Sequence, residues 1–213
     1  MPWYLAAARL HFQAFYLLDY STLPDYNGRI CALYTTASSL LELSLNLDSA
    51  PTHLLAYCPF FSYQVFVCAA FCVLKIITNG FFRRRLDPVN GGKLLETAIA
   101  SLRTISVVNN DLPARLGDVI AFFCALPDPT TLGGVGVEAV RLTQVTNRLS
   151  MSVVYDCLWT WRRQFMPQAN EARGANSQDN QDKSSFLASI FFLLFSPPSS
   201  SSSFVDFLRF YPY

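Results

Sequence analysis

Three features of this sequence predict an all-α fold. Apolar side chains recur at spacings of three and four from the N-terminal end to about position 165. No segment alternates apolar and polar residues, as a half-buried strand would, over more than four positions. The apolar tracts are separated by short clusters of Pro, Gly, Asn, Asp and Ser, the residues that end helices. With 213 residues, 52% of them apolar, the chain has the material for one domain with a packed core.

The first helix is expected from Trp3 to Leu18, with Leu5, Phe12, Phe15 and Tyr16 as its core face. It closes in the turn-rich stretch Ser21 to Gly28. A second helix, Arg29 to Leu47, presents Ile30, Leu33, Tyr34, Ala37, Leu41 and Leu45, and Asp48-Ser49-Ala50-Pro51 ends it. The third occupies the uncharged run Leu54 to Leu74. Pro59 suits its first turn, because the missing N–H costs nothing there and the fixed φ matches a helix. Asn79-Gly80 reads as its C-cap.

A fourth helix, Gly92 to Val108, carries Leu94, Ala98, Leu102 and Ile105 on one stripe. The tract Asn90-Gly91-Gly92-Lys93 is a turn leading into it; it fails the phosphate-loop pattern at Asp87 and Leu94. A fifth runs from Pro113 to Leu126, capped by Asp111 and stopped by Pro127-Asp128-Pro129. Gly133-Gly134-Val135-Gly136 reads as a flexible linker. Helical spacing resumes over Val137 to Asn147 and over Ser150 to Phe165, where Val154, Cys157, Leu158 and Trp161 share a face.

These readings place a helical region at 1–167 and a tail at 168–213. From Gln168 to Lys183 the only apolar side chains are three alanines, too few to offset the entropy of ordering, so this piece is expected to be disordered. Nineteen of the 21 residues from Ser184 to Phe204 are Ser, Phe, Leu or Pro, which all-pyrimidine codons specify. That is the composition of a translated intron tract, an interpretation that an unspliced transcript in this frame refutes.

The uncharged run has 21 residues and as one helix would be about 31 Å long, enough for a hydrocarbon core of about 30 Å. A start at Pro59 leaves 16 uncharged residues before Lys75, about 24 Å, which is short for a span. The run is therefore expected to be a buried helix of a soluble protein, the alternative being a single membrane span at 54–74. Arg83-Arg84-Arg85 then reads as a solvated cluster beyond a helix C-terminus.

Little here resembles a catalytic or metal site. His11 and His53 lie in separate apolar segments outside any metal spacing. Cys68 and Cys72 stand at i and i+4 with no second pair, and read as small core residues. All six cysteines are expected as free, buried thiols in a reducing compartment. Glu42, Glu96, Asp118, Glu138 and Asp156 each stand alone. A net charge of +1 excludes a strongly basic, stand-alone nucleic-acid binder. No enzyme activity and no bound cofactor or metal is expected of this chain.

Three stretches together resemble a known family: Asn109-Asn110-Asp111-Leu112-Pro113-Ala114-Arg115-Leu116-Gly117-Asp118-Val119, Arg148 through Trp159, and His53 through Phe61. In order and spacing they are similar to the C-terminal part of the helical regulatory region of fungal zinc-cluster transcription factors, especially the branch of transcriptional activators of secreted proteases. The resemblance covers roughly residues 5–165. It implies a truncated, non-enzymatic regulatory domain of a nuclear protein, controlled by a protein or small-metabolite regulator and homodimeric when full-length. It marks Asn110, Asp111, Leu112, Pro113, Arg115, Leu116, Asp156 and Trp159 as family-signature residues of structural role. Trp159 and Trp161 are expected at the core and its rim, and a ligand is expected in aromatic-lined space between helices.

The family binds DNA through an N-terminal cluster of six cysteines and two zinc ions. This chain lacks it: its cysteines are 27, 10, 4, 52 and 33 residues apart, with no CxxC. DNA is thus expected as a partner only through a missing N-terminal module, a membrane is not expected as one, and the helix beginning almost at Met1 implies missing upstream sequence.

Overall fold

The computed structural model of the chain describes residues 3–49, 54–107, 111–128, 130–143 and 150–165. Among them are eight α-helices and no strand, the all-α class expected. They are α1 (Trp3–Gln13), α2 (Tyr26–Asp48), α3 (Leu54–Tyr57), α4 (Phe60–Ile77), α5 (Pro88–Ile105), α6 (Leu112–Ala125), α7 (Thr130–Gly133) and α8 (Ser152–Phe165).

Helix α4 is the hub. Every residue from Val65 to Ile77 is buried, on all sides of the helix, so it runs through the centre and not along a surface. It packs against α2, α5, α6, α7 and α8. The uncharged run does not form one rod: α3 stops at Tyr57, and Pro59 stands as the N-cap of α4, its carbonyl accepting from Ser62 N at 2.8 Å. The 18-residue helix that remains is about 27 Å long.

Helix α2 buries Ile30, Leu33, Tyr34, Ala37, Leu41 and Leu45 as expected. It starts three residues earlier than its pattern indicated, behind Asp25 in the left-handed region (φ 59°), a conformation that Asp tolerates better than most residues. At its other end the buried Asp48 carboxylate accepts from Leu55 N at 3.0 Å and ties α3 down.

Helix α1 packs on α2 with the face opposite to the one expected. Leu5, Phe12 and Phe15 are exposed, Phe12 by 77%, and Tyr16 is half-buried. The buried side is Ala6, Ala7, Leu10, Gln13, Ala14 and Leu17. Small alanines let two helix backbones approach closely, a criterion that apolar periodicity does not contain. The last turn of the expected helix, Ala14–Leu18, tightens to a 3-10 helix.

Helix α5 begins four residues before the expected Gly92. The Asp87 carboxylate accepts from Val89 N and Asn90 N, both at 3.1 Å, and Pro88 follows, a pair that starts a helix more strongly than the glycines delay it. Gly91 lies inside α5, where an added Cβ would stand 2.8 Å from Tyr34 Oη and 3.0 Å from Ile77 Cγ2. Its missing side chain allows α5 to close on α2 and α4. Helix α6 starts at Leu112 behind its Asp111 cap, within one residue of the expected start.

Of the expected helix Val137 to Asn147, the described part, 137–143, holds only a 3-10 turn, Val137–Val140, and 144–147 lie outside the described residues. Beyond it the chain is held by tertiary bonds: Leu142 N donates to Leu17 O at 2.8 Å and Arg141 Nε to Leu18 O at 3.2 Å. Val154, Cys157 and Leu158 on α8 are buried, with Trp161 at the rim. Of the thiols, Cys68, Cys72 and Cys157 are buried, Cys31 and Cys58 half-buried, and Cys124 exposed, so burial of all six does not hold; none is in a disulfide. His53, Asn109, Asn110 and the tail at 168–213 lie outside the described residues.

Candidate functional site

Four polar side chains fall at spacings of four, three and four along α4 and just past its end: Cys68, Cys72, Lys75 and Asn79. That spacing puts them on one side of a helix. Between them they meet the described chain from Gly133 to Cys157. Cys68 Sγ donates to Ser150 O at 3.5 Å, and Ser150 Oγ lies 2.7 Å from His11 Nδ1, which joins the start of α8 to α1. Partial burial lowers the His11 pKa.

Cys72 is hydrogen-bonded to Cys68 and stands near Cys157; that bond, and then burial, hold its thiol far above the ordinary range. Burial pushes the Cys157 thiol up to about 12, with the Lys75 ammonium opposing the rise. The Cys72 and Cys157 sulfurs therefore stay protonated at neutral pH, which suits packing and not nucleophilic attack.

Lys75 and Asp156 form a buried ion pair, Nζ to Oδ2 at 2.7 Å, with side-chain exposures of 5% and 1%. Two charges are brought this far inside only when each meets an opposite partner. The pair fixes α8 against α4 in register.

Asn79 is fully buried and closes the stripe. Its Nδ2 donates to Gly133 O at 2.5 Å and Gly136 O at 2.9 Å, while Oδ1 accepts from Phe81 N and Phe82 N at 3.0 and 3.1 Å. Gly80 N adds a bond to Gly134 O at 2.8 Å. The glycine tract expected as a flexible linker is thus a packed clamp. A Cβ on Gly133 would lie 2.3 Å from Asn79 N and 2.6 Å from Thr78 C, and Gly134 takes φ 68°. Nor does Gly80 cap α4 in the left-handed form: the C-cap is Thr78, and Asn79 starts the next turn instead.

The residues marked by the family resemblance serve two separate helices. Asp111 caps α6: its carboxylate accepts from Ala114 N at 3.2 Å, Ser106 Oγ at 2.8 Å and Val107 N at 2.9 Å. Leu112 and Pro113 form the first turn, Leu116 is buried, and the half-buried Arg115 has its pKa lowered by burial, against the pull of Asp111. Asp156 and Trp159 lie in α8, the first paired with Lys75 and the second buried, with the Arg162 guanidinium 5.9 Å from its ring centre. Lys75 and Asn79 carried a single sequence signal, a lone charge and a lone amide bounding an apolar helix.

Among the described residues no group of three His, Cys, Asp or Glu side chains is placed to hold a metal ion. The chain matches no protein-family model, no curated protein and no solved structure. The chemistry of this stripe is that of a latch: it holds the glycine tract at 133–136 and helix α8 on the central helix.

Proposed function

We propose that the chain is a non-enzymatic helical regulatory module, part of a nuclear transcription regulator of the fungal zinc-cluster kind, acting through a protein or small-metabolite partner. The observation that carries this reading is the enclosure of α4. Its apolar surface is matched by α2, α5, α6, α7 and α8 of the same chain, as a self-contained module requires. The sequence resemblance over residues 5–165 supplies the biological setting. DNA contact, zinc binding and dimerisation would belong to an N-terminal module that this chain does not contain.

The test is a reporter assay with the full chain fused to a heterologous DNA-binding domain in a fungal host. Output that differs from the DNA-binding domain alone, and reverts when α8 is unlatched by Lys75→Met, supports a regulatory module. Unchanged output from a well-expressed fusion refutes it.

A single-span membrane protein is the competing reading, favoured by one observation: α4 has a mean hydropathy of 2.0 over 18 residues. Against it, 78% of that segment is buried within the protein, and Lys75 sits inside the helix paired with Asp156.

A further inference from the structure

Beyond the latch, where the chain leaves α4, lies a half-open pocket of about 260 Å³ lined by Gly80, Phe81, Arg84, Arg85 and Val135. Arg83, Arg84 and Arg85 are all exposed. The ion pairs among the described residues are Arg29–Asp19, Lys75–Asp156 and Arg103–Asp118, so none of these three arginines is matched by a carboxylate there. A cation cluster past a helix C-terminus is ordinarily explained by the helix's free carbonyls. Three of those carbonyls are already taken. Leu74 O accepts from Thr78 N and Thr78 Oγ1, Lys75 O from Thr78 Oγ1, and Ile76 O from Asn79 N.

The pocket is also held in shape. Arg85 lies over the Phe81 ring, its guanidinium carbon 3.8 Å from the ring centre, which fixes one charge beside an aromatic wall. Asn79 and the Gly80–Gly134 bond lock the floor to the glycine clamp. Because Phe81 N and Phe82 N are spent on Asn79 Oδ1, an anion here would be held by the guanidinium forks and not by backbone amides. The nearest acidic residue in sequence, Asp87, is engaged in capping α5.

We infer that this pocket binds a small molecule carrying a phosphate monoester. Two guanidiniums match a group of charge about −1.5 to −2 at neutral pH and offer it bidentate hydrogen bonds. Phe81 and Val135 supply an apolar wall for the rest of the molecule. A pocket of this volume is just under the range of about 300–1,000 Å³ typical of drug-sized ligands, which restricts the ligand to a small metabolite. The inference does not depend on the transcriptional reading.

The experiment is calorimetric titration of the full chain with adenosine monophosphate as probe, with adenosine and inorganic phosphate alongside. Adenosine monophosphate and phosphate are expected to bind and adenosine not to. Arg84→Gln and Arg85→Gln should each weaken binding by about tenfold or more, a charge-assisted bond pair being lost, while Arg103→Gln on α5 leaves it unchanged. Circular dichroism melts of the variants should match the parent, since all three side chains are exposed. The inference is overturned by absence of phosphate-dependent binding, by equal binding in the Arg84→Gln/Arg85→Gln double variant, by equal losses from Arg103→Gln, or by binding confined to long polyanions.

Discussion

Replacing Lys75 by methionine removes one charge of the buried pair and keeps most of the side chain's volume. Asp156, with 1% of its side chain exposed, is left in the interior without the ammonium 2.7 Å away. Removing one partner of a buried pair costs about 3–5 kcal/mol, a large share of the roughly 5–15 kcal/mol that stabilises a typical domain. Urea unfolding of Lys75→Met, followed by far-ultraviolet circular dichroism, should therefore show a midpoint lowered by one to several molar, given a slope of about 1–3 kcal/mol per molar. The double variant Lys75→Met/Asp156→Leu should recover much of the loss, because an apolar pair escapes the desolvation cost that the charges bear. Hydrogen exchange should report the same loss most strongly in α8, whose docking the pair maintains. A Lys75→Met protein within about 1 kcal/mol of the parent would refute the latch, since a solvated pair contributes only that much.

Three further outcomes follow from the same packing. Gly133→Ala should destabilise by about 1–3 kcal/mol or more, because its Cβ meets the Asn79 backbone at 2.3 Å and backbone cannot rotate away; an unchanged thermal midpoint counts against the clamp. Asp111→Ala should cost about 1–2 kcal/mol in urea titrations through loss of the α6 cap, and a neutral result would mean that Ser106 and Val107 do not depend on it. Stability should fall as pH rises from about 9 towards 12. Burial raises Tyr26 from 10.0 to about 12 and Cys157 from 9.0 to about 12, so both neutral forms favour the folded state; that contribution is complete below the unfolded pKa values and is lost as pH climbs through the folded ones. Tyr26→Phe should flatten this decline and be near neutral at pH 8, since the hydroxyl is buried without a hydrogen-bond partner among the described residues. A decline as steep as the parent's in Tyr26→Phe would contradict the assignment.

Much of this architecture was legible in the chain because helix signals are local. Asp111-Leu112-Pro113 marked the start of α6 to within a residue, and the α2 stripe from Ile30 to Leu45 is the buried face. Pro59 likewise divided the uncharged run where α3 and α4 part. What escaped depends on partners distant in sequence. On α1 two stripes compete, and choosing Ala6, Ala7 and Leu10 over Leu5 and Phe12 requires knowing how closely α2 approaches. The glycine tract looked like a linker because nothing local shows that Asn79, 54 residues earlier, uses two of its carbonyls. Lys75 looked like the polar end of an apolar run, since its partner Asp156 is 81 residues away.

The account rests on α4 being covered by protein. The most direct measurement is hydrogen exchange on the full chain purified without detergent, combined with flotation on liposomes. The expected result is strong protection of amides from Val65 to Ile77 in aqueous buffer, with the chain staying at the bottom of the gradient. Co-flotation with lipid, together with rapid exchange across α4 whenever lipid and detergent are withheld, would contradict it.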